Sequence, residues 1–176
     1  MKLREEILKE HSKLHALKIA DYACSSPARF TELMRCFLDD EYRLAQRAAW
    51  SVSWAARKKP EMIRPHIKDL VAVLRKDNVH DAVKRNAVRV LQEIEIPESF
   101  HGEVMNACFQ FLENPATPVA IKAFSLTTLF NLSKSYPEIT GELKLIIDEI
   151  FEHQTAAFKS RAKKILKHID KSNTPA

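Results

Sequence analysis

Glycine is nearly missing from this chain: there are 2 among 176 residues, Gly102 and Gly141, and they stand alone. No glycine-rich loop is available to wrap a phosphate with bare backbone, as P-loop and dinucleotide sites require. Cysteine is as sparse. Cys24, Cys36 and Cys108 are odd in number, widely spaced and without a Cys-x-x-Cys pair, so neither a disulfide framework nor a thiolate zinc site is suggested, and the three read as small core residues. Long apolar runs are absent too. No stretch approaches the roughly 18 uncharged apolar residues of a membrane span, and Met1-Lys2-Leu3-Arg4-Glu5-Glu6 turns acidic where a secretory signal needs an apolar core. The expectation is a soluble protein of the cytoplasm with no membrane partner. No Ser-His-Asp or Cys-His grouping can be drawn from the sequence, because such groups are recognised only in space. The reading is therefore a non-enzyme without cofactor.

What fills the chain is Ala, Leu, Ile, Lys, Arg and Glu, with 8 prolines spread between them, which favours helix throughout. A Pro-Glu pair recurs as Pro60-Glu61, Pro97-Glu98 and Pro137-Glu138, with offsets of 37 and 40. A second pattern runs apolar, Lys, two residues, small, three residues, Leu. It superposes Val83-Lys84-Ala87-Leu91 on Ile121-Lys122-Ser125-Leu129 and Phe158-Lys159-Ala162-Leu166, with offsets of 38 and 37. Ala45-Gln46-Ala49 lies upstream of the first of these by a further offset of 38, and Leu17-Lys18 begins a degenerate fifth copy. Self-similarity at this period marks stacked helical hairpins, each unable to bury its apolar face alone.

Helices are expected at 3–24, 28–38, 41–57, 61–76, 80–95, 99–113, 118–134, 139–152 and 155–171. Asp39-Asp40, Asp77-Asn78 and Asn114 supply turns and N-caps before the first helix of a pair. Pro60, Pro97 and Pro137 end the first helix or open the second, since a proline has no N–H to donate inside a helix but is tolerated in the first turn. The chain is expected to form one domain over 1–171, closed by a Lys-rich last helix acting as a polar cap, with a flexible tail at 172–176.

These features resemble the HEAT-repeat family over about residues 14–170. Units of that family are two antiparallel helices with an Asp before the first, an apolar-Arg pair within it and a Pro in the intervening turn. Asp39 and Asp77 fit the acidic position; Asn114 and His153 depart from it, and Lys or Gln stands where Arg is usual. The resemblance implies an all-α, right-handed α-α superhelix of about four hairpins plus a capping helix. It also implies that the second helices line the concave face.

Charge is divided between the helix sets. The first helices sum to +4 (41–59), 0 (80–95), +2 (119–135) and +5 (155–171), whereas the second sum to +2 (61–76), −3 (98–113) and −4 (138–152). Second-helix positions expected to face outward are His66, Asp69, Val73 and Lys76, then Glu103, Asn106, Gln110 and Glu113, then Glu142, Leu145, Glu149 and Glu152. They form the expected binding surface for a protein or peptide partner carrying a basic segment. The alternative is nucleic acid on the first-helix face, through Arg43, Arg47 and Trp54, with Lys159, Arg161 and Lys163 as further contacts. Trp54 aligns with Gln92 and Phe130 and is the candidate exposed anchor. Trp50 aligns with Val88 and Leu126 and is expected to be packed. Because some helical-repeat proteins act on damaged bases, DNA repair is a remote third option. His11 and His15 share a helix face with Glu6 and Glu10 nearby, but the Glu that follows the first His in zinc protease motifs is missing, and no metal is expected.

Overall fold

A computed structural model describes residues 2–172. Its contacts gather into two compact units, Met1–Ile96 and Pro97–Ala176. Among the described residues every regular element is a helix, as the composition dictates. The expected tail at 172–176 lies outside the described residues except for Ser172, which ends the last helix.

The first unit contains α1 (Leu3–Lys9), α2 (Lys13–Ala23), α3 (Pro27–Phe37), α4 (Tyr42–Lys58), α5 (Pro60–Ile63), a 3₁₀ turn at Arg64–His66, α6 (Ile67–Leu74) and α7 (Asp81–Leu91). Its centre is α4, packed on α1, α2, α3 and α7. Composition explains how one helix takes so many neighbours: its buried residues are Leu44, Val52, five alanines and Ser51 and Ser53, so backbones approach closely from several sides. The second unit contains a 3₁₀ turn at Glu98–Phe100, α8 (His101–Glu113), α9 (Val119–Ser133), α10 (Ile139–Ile150), a 3₁₀ turn at Phe151–His153 and α11 (Ala156–Ser172). There α9 plays the central role, against α8, α10 and α11. The small repeat positions Ala87, Ser125 and Ala162 are all fully buried.

Two expected helices are broken, each for a local reason. The stretch 3–24 divides because Glu10 is extended and Ser12 starts a new helix, its Oγ accepting from the His15 N–H at 3.1 Å. The turn lets Leu3 and Ile7 of α1 reach the core. The stretch 61–76 divides at Pro65, which cannot donate a hydrogen bond, into α5, the 3₁₀ turn and α6. The expected caps are also displaced. Asp39 Oδ1 accepts from the Glu41 N–H at 2.9 Å and Asn114 Oδ1 from the Ala116 N–H at 2.9 Å, so both shape the turn ahead of the helix. The residue that caps α7 is His80, whose Nδ1 accepts from the Ala82 N–H. Cys24, Cys36 and Cys108 are buried free thiols, as composition suggests, and burial pushes Cys108 up to about 12.

Candidate interaction surfaces

Contacts between successive repeats fall at the repeat spacing. In the first unit Arg4 bonds Asp39 and Glu41 at 2.6 and 2.9 Å, Lys58 bonds Asp21 at 2.6 Å, and Tyr42 stacks on His80 with centroids 5.9 Å apart. The Glu41 N–H and the Arg4 guanidinium together hold the Asp39 carboxyl below its ordinary range. In the second unit His101 meets the Tyr136 hydroxyl at 3.0 Å, and Arg161 Nη1 donates to the Ala123 carbonyl at 3.0 Å and to Thr127 Oγ1 at 2.8 Å.

On α4 the spacing of Arg43, Arg47, Trp50, Trp54 and Arg57 puts all five on one helical face. Arg47 Nη1 donates to the Leu8 carbonyl at 2.5 Å, which makes it a link to α1. Trp50 is half-buried, its ring 5.3 Å from that of His11. Trp54 departs from the expected exposed anchor. It is half-buried, with Lys13 Nζ, Arg57 and Arg89 at 5.4, 5.4 and 5.8 Å from its centroid. Its indole Nε1 is buried and has no hydrogen-bond partner among the described residues. Arg57 forks onto Glu93, Nε and Nη2 donating at 2.8 and 2.6 Å, which raises its proton affinity. Arg89 is shifted the other way, by burial and by the nearby Arg57. Arg43 and Arg85 are exposed, and neither makes a hydrogen bond or ion pair with another described residue.

The second-helix positions separate into two groups. In the first unit His66 is packed: its side chain is 14% exposed, its ring stacks on Phe30 at 5.8 Å, and Asp69 lies 3.5 Å away. Val73 is buried. His66 precedes α6, and on α6 itself Ile67, Leu70, Val71, Val73 and Leu74 are all buried, so that helix is covered over a wider arc than a one-sided surface helix. In the second unit the expectation of exposure holds for Asn106, Gln110 and Glu113 on α8 and for Glu142, Leu145 and Glu149 on α10, while Glu103 is half-buried. Glu152 is exposed and bonds Lys159 at 3.2 Å. Leu145 is 72% exposed. Lys144, the only cation of α10, is turned away to Asp170 at 2.6 Å. Glu142, Asp148 and Glu149 accordingly have no ion pair among the described residues.

The HEAT repeat domain family matches residues 3–169. The chain belongs to the HEAT-repeat family. No curated protein and no solved structure matches it. As a HEAT-repeat protein it is a helical-repeat scaffold of a kind that generally mediates protein interactions. Its inter-repeat arginine links come from positions outside the apolar-Lys pattern. Arg47 makes one beside Gln46, and Arg161 makes one two residues after Lys159. The signal available in the sequence was the offset of 38 from Arg47 to Arg85, continued by Arg161 at three such offsets from Arg47.

The other candidates engage separate neighbours. His15 Nε2 lies 2.7 Å from the Glu6 carbonyl while His11 packs on Trp50, and no group of three metal-ligating side chains exists among the described residues. Lys163 and Lys159 flank the Phe151 ring at 5.8 and 5.2 Å. Among the described residues no helix is long and apolar enough to cross a membrane.

Proposed function

We propose that this HEAT-repeat protein is a non-enzymatic interaction module that binds a basic, amphipathic helical segment of a partner protein on the α8–α10 face of its second unit. The observation that carries this reading is Leu145, exposed on α10 between Glu142 and Glu149, with Asp148 adding a third carboxylate that forms no ion pair among the described residues. A lone surface leucine needs no explanation. One framed by carboxylates that form no ion pair among the described residues matches a segment with an apolar anchor and Lys or Arg a helical turn to either side. Asn106, Gln110 and Glu113 on α8 extend the face with groups that hydrogen-bond along such a segment. His66 and Asp69 have no part in this reading, since His66 is occupied by Phe30 and Asp69.

A peptide-display selection on the full chain tests it. Enriched sequences are expected to carry basic residues three or four positions from an apolar one. Their affinity should fall at least about tenfold, or about 1.4 kcal/mol, in Glu142→Lys/Glu149→Lys and in Leu145→Asp, with melting unchanged because all three positions are exposed. Enrichment of acidic peptides, or binding that survives both variants, rejects the proposal.

A further inference from the structure

We infer a second binding surface, on the α4–α7 face of the first unit, that grips the phosphodiester backbone of a nucleic acid. Lys13, Arg57 and Arg89 crowd around Trp54, and Glu93 answers them with a carboxylate both of whose oxygens are taken by Arg57. Arg43 and Arg85 add positive charge on the same helices without partners among the described residues. Asp81, one turn before Arg85, makes no ion pair with it. Like charges gathered on a half-buried ring repel one another, and an anion that bridges them relieves that repulsion.

The register decides the kind of anion. Equivalent positions lie 38 apart in the sequence, so Arg85 sits at the level of Arg47 and Arg89 at that of Ser51. Arg43, Arg85 and Arg89 therefore descend the paired helices in steps of four residues, about 6 Å each at 1.5 Å per residue. A single phosphate would meet one step of this file, while a chain carrying charge at every unit meets all of it. Arginine predominates, and its planar fork suits phosphate oxygens. Base stacking does not drive the contact, because the Trp54 ring is already occupied by cations and Trp50 by His11. A protein partner is disfavoured for the same reason: the aromatic surface that would anchor it is covered. The role of Trp54 is to hold Arg89 and Lys13 in place.

Titration of the full chain with a fluorescently labelled single-stranded oligonucleotide, at low and at near-physiological salt, provides the test. Binding is expected to weaken linearly on a log-log plot of affinity against salt. Arg85→Glu and Arg43→Glu, both at exposed positions, should each reduce affinity about tenfold and shallow the slope by roughly 0.7 for each phosphate no longer engaged. Lys164→Glu, the same kind of charge change at an exposed position of the second unit, should leave affinity unaltered. The inference is overturned by any of three results: negligible binding at low salt, a slope that the Arg85→Glu variant does not change, or displacement of the oligonucleotide by an equal phosphate concentration of inorganic triphosphate or phosphopeptide.

Discussion

The two units of this HEAT-repeat protein fasten their repeats with different proportions of ionic and neutral contacts. In Met1–Ile96 the links are largely ionic: Arg4 to Asp39 and Glu41, Lys58 to Asp21, Arg57 to Glu93. In Pro97–Ala176 the ion pair of Lys144 with Asp170 stands beside neutral acceptors and rings, with His101 on Tyr136, Arg161 on a carbonyl and a hydroxyl, and Phe130 on His168. The difference teaches where free charge is to be found. The first unit commits carboxylates to the joints between repeats, and the charge it leaves over on α4 and α7 is net cationic, Arg43 and Arg85 against Asp81. The second leaves its α10 carboxylates unpaired among the described residues, so its surplus is acidic. Two surfaces of opposite sign thus arise from one repeat pattern, according to which charges the stacking consumes.

The harshest way to break this comparison is to disrupt the stacking it presupposes. Ala87 is fully buried on α7, which packs against both α4 and α6. Ala87→Asp places an unpaired charge in that packed interior, at an expected cost of about 3–5 kcal/mol. Ser125→Asp makes the equivalent insertion on α9. Chemical denaturation should show both as severely destabilised; parental stability in either would mean that the small-residue register is wrong in that unit.

A milder probe sharpens the comparison at one repeat position held by three arginines. Arg161 makes two hydrogen bonds and lies 5.4 Å from the Phe124 ring, Arg47 makes one hydrogen bond, and Arg85 is exposed with none among the described residues. Replacement of Arg161 by Ala leaves a carbonyl and a hydroxyl without their donor, at about 1–3 kcal/mol. Arg47→Ala should cost about 1 kcal/mol, as a single hydrogen bond does. Arg85→Ala should stay within about 0.5 kcal/mol. Thermal melts that rank Arg85→Ala beside Arg161→Ala would show that Arg85 has a structural role, and the phosphate proposal would lose its best-placed residue.

The repeat period and the buried small positions were legible because they are one-dimensional signals. Val83, Ile121 and Phe158 recur at offsets of 38 and 37, and all prove buried. Exposure on the second helices was legible for Asn106 and Gln110 on α8 and for Glu142, Leu145 and Glu149 on α10; on α6 Val73 is buried because more than one side of that helix is covered. The surroundings of Trp54 were not legible. They combine Lys13 from α2, Arg57 from α4 and Arg89 from α7, and a pattern read along the chain does not show which side chains three helices bring to one ring. The offset of 38 marks Arg47, Arg85 and Arg161 as one repeat position, but it does not separate the two that link from the one that is exposed, because the acceptors are mainly backbone carbonyls, which leave no trace in side-chain identity.

The smallest expected effect concerns acid. Glu6 accepts hydrogen bonds from Lys9 at 2.6 Å and Lys18 at 3.0 Å, and these bring its carboxyl from the ordinary 4.5 down to about 2. A carboxyl whose pKa is lower when folded favours the folded state above its unfolded value. That contribution is full above about pH 4.5 and fades as the pH falls toward 2. Asp39, lowered by the Glu41 N–H and by Arg4, acts in the same sense. Because Glu6 joins α1 to Lys18 of α2, amide hydrogen exchange in Leu3–Lys9 should speed up across that window. Glu6→Gln should flatten the response and leave a weaker α1–α2 contact at neutral pH. If the variant retained the parental acid profile in α1, the acid sensitivity of this segment would have to reside in Arg4 and its two carboxylates.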